Sequence, residues 1–212
     1  MKLYVLTYNK NIQYNKIQKY SSYVSAERKK KTSSYQNENS KINSLLSELL
    51  LRYILKKDYT FADVDIKTTS LGKPYLNNNS NIHFSISHSE YAIAIAIDQS
   101  PIGIDIEKID GPNTDIIDYF ANAEQNYINS SSNKISAFYE IWTQKEAYVK
   151  MKGTGFINIS PSDFDVTQKK HLLSTKKVGT YMLSVCSESN LSSNICTKAI
   201  DLSDVLFYFD NL

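Results

Sequence analysis

Residues 82–107, IHFSISHSEYAIAIAIDQSPIGIDIE, contain three consecutive segments in which apolar side chains alternate with polar or small ones. The apolar positions are Ile82, Phe84 and Ile86, then Ile93, Ile95 and Ile97, then Ile102, Ile104 and Ile106. Period-two alternation of β-branched residues predicts three β-strands, and the short spacing between them is typical of hairpins. The alanines between the second set of isoleucines would let a helix pack closely on their face.

The segments on either side of this stretch mix helices and strands. Helical spacing of leucines predicts a helix over residues 39–55, capped by Asn39 or Ser40, and a second helix over residues 133–151 that ends at Gly153. Further expected elements are a strand at 2–8, a helix at 114–129, and strands at 164–166, 181–186, 195–200 and 206–209. This mixture predicts an α+β fold rather than an alternating parallel sheet.

The bulk properties of the 212-residue chain argue against several classes of protein. A net charge of +2 is too small for a protein that mainly grips nucleic acid. The first ten residues, MKLYVLTYNK, are too short and polar for a signal peptide, and no apolar run reaches the ~20 residues that span a bilayer. Two cysteines without a CxxC spacing predict no disulfide framework. We therefore expect a cytoplasmic protein without a membrane or nucleic-acid partner.

The third strand carries two acids. On a strand, Asp105 and Glu107 point to the same face, with Cα atoms roughly 6.5–7 Å apart, while the isoleucines point into the core. Two neighbouring carboxylates repel each other unless a cation lies between them, and a hard divalent ion is the natural partner. Gly103 would allow a ligand or a backbone to approach. The alternative is an exposed edge strand on which two acids have no joint role.

The helix over residues 133–151 places acidic and basic side chains beside its apolar face. Glu146 and Lys150 lie four residues apart next to Trp142, and Lys145 lies near the middle of the apolar face, an unusual position for a solvated lysine. The alternative is a solvated Glu–Lys pair worth only ~0.2–0.5 kcal/mol. The motifs considered below favour a functional site.

Four motifs occur in the order and spacing found in one enzyme family. The segments FSISHS (84–89), GIDIE (103–107) and FYEIWTQKEAYVK (138–150), together with GKP (72–74), resemble the motifs of the 4′-phosphopantetheinyl transferases of the surfactin-synthetase-activating type. The similarity is clear over residues 71–155. The resemblance implies a Mg²⁺-dependent transfer of the 4′-phosphopantetheine group from coenzyme A to a serine of an apo acyl or peptidyl carrier protein, releasing adenosine 3′,5′-bisphosphate.

The resemblance also implies roles for the acids and for two lysines. Asp105, Glu107 and Glu146 would hold Mg²⁺. Glu146 would be the base for the carrier serine, through a water or replaced in this role by Glu107. Lys150 would stabilise the leaving phosphate of the bisphosphate, and Lys145 would be an additional phosphate contact.

Coenzyme A would be held by residues outside the acid strand. Ser87 and His88 resemble the family's coenzyme A-binding pair, and Lys73 would contact the nucleotide end. On local grounds alone, a lone histidine or a turn lysine is as often structural, and His83 and His171 are expected to be so. Within the basic run of residues 28–31, Lys29 and Lys31 are candidates for the 3′-phosphate.

One segment departs from the family pattern. Asn43 stands where the family usually carries an arginine, and Lys41 only partly substitutes for it. Because asparagine cannot make the charged bidentate contact of arginine, recognition of the 3′-phosphate is in question.

The resemblance further implies one transferase unit over residues 1–212, a pseudo-dimer with approximate halves 1–101 and 102–212, the active site in the cleft between them, and a monomeric state. Two other functions are weighed: a non-catalytic coenzyme A- or carrier-binding protein on the same fold, and a basic RNA-binding protein. The complete acid set argues against the first, and the near-neutral charge argues against the second.

Overall fold

The computed structural model describes residues 1–111, 114–157, 159–189, 191 and 195–212. The helices are α1 (Tyr14–Ile17), α2 (Ala26–Ser34), α3 (Glu38–Asp58), α4 (Asn122–Ser130), α5 (Lys134–Lys152) and α6 (Leu202–Asp210). The strands are β1 (Lys2–Thr7), β2 (Ile66–Thr68), β3 (Pro74–Leu76), β4 (His83–Ser89), β5 (Ala92–Asp98), β6 (Ile102–Lys108), β7 (Leu173–Val178), β8 (Tyr181–Ser187) and β9 (Thr197–Ile200). The predicted α+β class is confirmed.

The two main sheets repeat one topology. In the first sheet the strand order is β4-β5-β1-β9, and in the second it is β7-β8-β6. Strands β4, β5 and β1 pair antiparallel, as β7, β8 and β6 do. A long helix follows the first strand of each set, α3 after β1 and α5 after β6. The order first strand, helix, hairpin is therefore present twice, as a pseudo-dimer requires.

The two sheets share a core between them. Ala92, Ala94 and Ala96 of β5 lie in one buried cluster with the isoleucines of β6. The expectation that a helix packs on the alanine face is wrong, because the second sheet covers that face. The opposite face of β5, with Ile93, Ile95 and Ile97, packs against the leucines of α3. Small side chains on one face thus allow two sheets, rather than a sheet and a helix, to approach each other.

The long helices begin and end at residues that satisfy their terminal groups. The side chain of Asn37 accepts a hydrogen bond from the Ser40 backbone and caps α3, so the cap lies two or three residues before the one predicted from sequence. The side chain of Asn133 caps α5 in the same way. Gly153 ends α5 in the left-handed conformation with φ of 76°.

The last segment of the chain returns to the first sheet. Strand β9 pairs in parallel with β1, and α6 buries Val205 and Phe209 in the core under α3.

The strand predicted at residues 206–209 is wrong, because these residues follow a helical spacing of apolar side chains in α6. The strand predicted at 164–166 is also wrong, since these residues join two short 3₁₀ turns. The division into halves at residue 101 stays a prediction.

No helix in the described part of the chain is a candidate for a membrane span. Each helix there is too short or too polar to cross a bilayer.

Candidate active site

Alternating serines of β4 fix the acids of β6. Ser87 Oγ donates to Asp105 Oδ1 at 2.7 Å, and Ser89 Oγ donates to Glu107 Oε2 at 2.6 Å. The Ser89 hydroxyl in turn accepts from the backbone N–H of Lys108 at 3.1 Å. Period two on both strands brings serine and acid face to face. The first half therefore orients the acids of the second.

Helix α5 lies directly over β6. A Cβ atom added to Gly103 would stand 1.9 Å from the carbonyl oxygen of Ala147 and 2.4 Å from the backbone nitrogen of Met151. The missing side chain lets the helix backbone touch the strand, which is one of the two approaches expected from the sequence. Glu146 and Lys150, one turn apart on this helix, are thereby brought to the acids.

Lys150 is the centre of the charged group. Its Nζ donates to Asp105 Oδ1 at 2.6 Å and to Ser87 Oγ at 3.0 Å, and it lies 4.0 Å from Glu146 Oε2. Asp105 is 1% exposed, and its second oxygen, Oδ2, has no hydrogen-bond partner among the residues that the structure describes. A buried carboxylate oxygen without a partner is costly, which makes it a candidate ligand for a cation.

The electrostatics of this group reflect burial and mutual repulsion. Burial, and then the charge of Asp105, raises the pKa of Glu107 to about 7. Burial also raises the pKa of Glu146, although Lys150 opposes this. Burial alone would lower the pKa of Lys150, but the surrounding carboxylates, first Asp105, hold it above its usual value. These groups form an acid-rich site with one bound ammonium.

A cavity of about 460 Å³ begins at Lys150 and is lined by residues of both halves, but not by Asp105, Glu107 or Glu146. Its charged and titratable lining residues are Glu27, Arg28, Lys31, Glu48, Lys73, His88 and Lys150. Burial, followed by the charges of Lys150, Arg28 and Lys31, lowers the pKa of His88 to about 4. Three cations that depress one imidazole pKa make this end of the cavity a favourable place for an anion.

The buried carboxylate of Glu48 positions Arg28 at the basic end of the cavity, which Arg28, Lys31 and His88 line. It accepts from the Nε of Arg28 at 3.3 Å and from the Nε of Arg52 at 2.9 Å. It also accepts from the backbone N–H and the hydroxyl of Ser25, at the start of α2. Neither Arg28 nor Glu48 was singled out from sequence. Arg28 could have been predicted, because it lies three residues before Lys31 and so on the same face of a helix.

Two of the basic residues predicted to bind coenzyme A lie elsewhere. Lys29 lines a separate small cavity beside Tyr14, and Lys41 lies with its Nζ 5.9 Å from the ring centre of Tyr14. Only Lys31 of the predicted 3′-phosphate candidates lines the main cavity. The face of α2 that carries residues 28 and 31 points inward, so Lys29 must point away.

Lys73 and Lys145 have internal partners that the sequence did not indicate. Lys73 lines the cavity, but its Nζ donates to the carbonyl of Met151 at 2.7 Å, at the last turn of α5. Lys145 is fully buried, forms a 2.7 Å ion pair with the equally buried Glu124, and donates to the carbonyls of residues 161 and 164. The prediction that Lys145 contacts a phosphate is therefore wrong, because its ammonium is buried and bonded inside the protein. Ser87, predicted to bind coenzyme A, does not line the cavity, and its hydroxyl donates to Asp105.

Asn43 joins a buried polar cluster. Its amide nitrogen donates to the carbonyl of Glu90 and to Asn39, and its oxygen accepts from the Tyr8 hydroxyl, all at 2.8 Å. Glu90 has a positive φ of 45° in the turn between β4 and β5. The asparagine therefore secures this strained turn, and Arg28 and Lys31 supply the positive charge of the cavity.

The acids do not by themselves form a closed metal cage. Within the described ranges, no three His, Cys, Asp or Glu side chains are arranged to hold one ion. Lys150 is bonded to Asp105 instead. The unpartnered Oδ2 of Asp105, beside Glu107 and Glu146, nevertheless fits a hard cation better than any other group in this cleft.

Comparison with known proteins decides the family. A family model described as the 4′-phosphopantetheinyl transferase superfamily matches residues 101–196, and one described as 4′-phosphopantetheinyl transferase, N-terminal, matches residues 11–100. The chain belongs to the 4′-phosphopantetheinyl transferase superfamily. The resemblance stated from the four motifs is confirmed, and the two matches to this transferase meet between residues 100 and 101.

Individual relatives carry the same name. The transferase is 34% identical over 160 residues to the 4′-phosphopantetheinyl transferase gsp of Aneurinibacillus migulanus, covering 72% of this chain and 66% of that protein. It is 28% identical over 160 residues to the transferase Sfp of Bacillus subtilis, covering 73% and 71%. A Xenopus laevis relative, L-aminoadipate-semialdehyde dehydrogenase-phosphopantetheinyl transferase, is 28% identical over 144 residues, covering 58% and 48%. The chain is an enzyme of this type.

Proposed function

We propose that this transferase moves the 4′-phosphopantetheine group of coenzyme A to a serine of an apo acyl or peptidyl carrier protein and releases adenosine 3′,5′-bisphosphate. One observation carries the proposal. Lys150 both contacts Asp105 of β6 and lines a cavity that Arg28, Lys31 and His88 also line. A molecule with a diphosphate and a separate phosphate fits this arrangement, because each cationic region would meet an anionic group.

A magnesium ion belongs to the proposal. Asp105, Glu107 and Glu146 would hold it, with the bare oxygen of Asp105 as the first ligand. Bound there, the ion would neutralise charge on the diphosphate during transfer.

The side chains of the cleft would accept the proton of the carrier serine and stabilise the bisphosphate as it leaves. The serine oxygen forms a bond to the β-phosphorus of coenzyme A, and the bond from that phosphorus to the bridging oxygen breaks. The electron pair of the broken bond stays on the bisphosphate, where Lys150 would compensate the charge. The serine proton passes to Glu146 or Glu107. Burial raises the pKa of both carboxyls, that of Glu107 to about 7, and a raised pKa makes a carboxylate a stronger base.

The intact mass of an apo carrier protein tests this function. Incubation with the transferase, coenzyme A and Mg²⁺ should add the mass of one phosphopantetheine arm, and EDTA should prevent the gain. If a panel of acyl and peptidyl carriers gains no mass while coenzyme A is bound, the protein is a binder and the proposed transfer is wrong.

A paired substitution tests the basic end of the cavity. Arg28→Gln should weaken coenzyme A binding about tenfold or more, since a charge-assisted hydrogen bond contributes about 1.5–3 kcal/mol. Lys29→Gln on the same helix should change affinity less than about twofold, because a solvated surface charge contributes little. Isothermal titration with coenzyme A measures both. Equal losses in the two variants would show a general charge effect and contradict a specific contact at Arg28.

A further inference from the structure

Lys150 holds one oxygen of the carboxylate whose other oxygen is the proposed first ligand of the metal ion. Its ammonium lies 2.6 Å from Asp105 Oδ1 and bridges to Ser87. It also lies 4.0 Å from Glu146 Oε2, and its charge lowers the pKa values of both glutamates against the effect of burial. The acid group is thus already neutralised in part by a side chain of the protein.

A divalent ion and this ammonium compete for the same carboxylates. Metal ligation of Asp105 would bring two positive centres within a few ångströms of each other, in a site that is largely shielded from water. Their repulsion is several times stronger there than in bulk water. A metal ion can therefore bind well only when Lys150 leaves Asp105 or finds an additional anion.

The cavity provides a place for Lys150 to go. The Lys150 side chain is 30% exposed, whereas Asp105 is sealed, and the lysine lines the cavity together with His88 and Lys31. A diphosphate placed there would accept the ammonium. The same diphosphate would add oxygen ligands to a metal ion held by the freed Asp105.

We propose that Lys150 is the resident counter-ion of the acid group and makes divalent-cation binding depend on the diphosphate ligand. The inference rests on the proposed function for the identity of that ligand. The ligand draws Lys150 away from Asp105, which removes the repulsion between the two cations, and the metal ion then binds the carboxylate through its unpartnered Oδ2. Because binding linkage is reciprocal, the metal ion must strengthen coenzyme A binding by the same factor.

Metal binding without turnover tests the proposal. Mn²⁺ binding to the protein is measured by electron paramagnetic resonance, with no carrier protein present, in the absence and presence of coenzyme A. Mn²⁺ affinity of the unmodified protein should rise on addition of coenzyme A by a factor in the range of about 5–150, after correction for Mn²⁺ held by free coenzyme A.

Substitution of the lysine should release the acids. Lys150→Met should bind Mn²⁺ without coenzyme A at least about fivefold more tightly than the unmodified protein. Lys150→Gln serves as a second variant if the first does not fold. Lys152→Met is the matched control, since Lys152 lies on the same helix but pairs with Glu188 outside the acid group. Its Mn²⁺ affinity should stay unchanged.

Two results would overturn the inference: equal Mn²⁺ affinity of the unmodified protein with and without coenzyme A, or no tighter Mn²⁺ binding in either Lys150 variant. The carrier mass assay keeps this separate from the proposed function. Transfer without the coupling leaves the function and removes the role of Lys150 as counter-ion. Coupling without transfer leaves the role of Lys150 as counter-ion and removes the proposed function.

Discussion

Asp105→Asn should reduce transfer to a carrier protein by about 100- to 1000-fold, the range seen when one preorganised electrostatic contact is lost. The amide keeps the volume of the side chain and an oxygen that can accept from Ser87. It removes the charge that Lys150 and the proposed magnesium ion share. The rate of mass gain of the carrier measures the effect, and thermal unfolding checks that the fold is intact.

Asp118→Asn is the matched control, because Asp118 is exposed and away from the acid group. It should transfer at the normal rate. If the Asp105 variant retains Mg²⁺-dependent transfer at that rate, Asp105 has no part in the metal site and the acid strand has another purpose.

Lys145→Met should lower the free energy of unfolding by about 3–5 kcal/mol, as expected when one partner of a buried ion pair is removed. Glu124, which is fully buried, would be left with an uncompensated charge. The aromatic rings of Phe120 and Phe164, 5.5 and 4.2 Å from the ammonium, cannot replace that charge. Urea unfolding monitored by circular dichroism measures the loss.

A double variant separates this cause from simple loss of packing. Lys145→Met with Glu124→Gln should recover part of the stability, because the buried charge is removed with its partner. Coenzyme A affinity of the single variant, measured where it is folded, should equal that of the unmodified protein. A selective loss of affinity without loss of stability would restore Lys145 as a phosphate contact.

The fold could be predicted in large part because its strands carry strong local patterns. The alternating apolar residues of β4, β5 and β6 were sufficient to predict three strands, and the spacing in residues 133–151 was sufficient to predict a helix. The strand predicted at residues 206–209 failed for a physical reason. Four apolar or aromatic residues in a short run suit either element, and packing against α3 selects the helix.

The candidate site was predictable where one element carries the chemistry. Asp105 and Glu107 share a strand face, and Glu146 and Lys150 share a helix face, so the spacing alone brought each pair together. Lys145 was different, because its partner Glu124 belongs to another helix and no local pattern joins them. Its place on an apolar face did indicate that it is not solvated.

The contacts of Lys73 and Asn43 could not be predicted, because they join elements that are distant in the sequence. Lys73 reaches the carbonyl of Met151 on α5, and Asn43 reaches that of Glu90 across the first half. These pairings follow from how the elements pack, which residue types and spacing do not specify. The choice of Lys29 over Arg28 was avoidable, since helical spacing from Lys31 favours the arginine.

The return of β9 to the first sheet sets the order in which the protein can be completed during synthesis. Leu3 pairs with Thr197 and Leu6 with Ile200, so β1 lacks this neighbour until residue 200 has left the ribosome. Until then the nascent protein presents an open strand edge, a template for pairing with other chains. Contacts between residues so far apart in sequence also form slowly. We therefore expect the nascent protein to be most prone to pair with other chains in the interval before β9 joins the sheet.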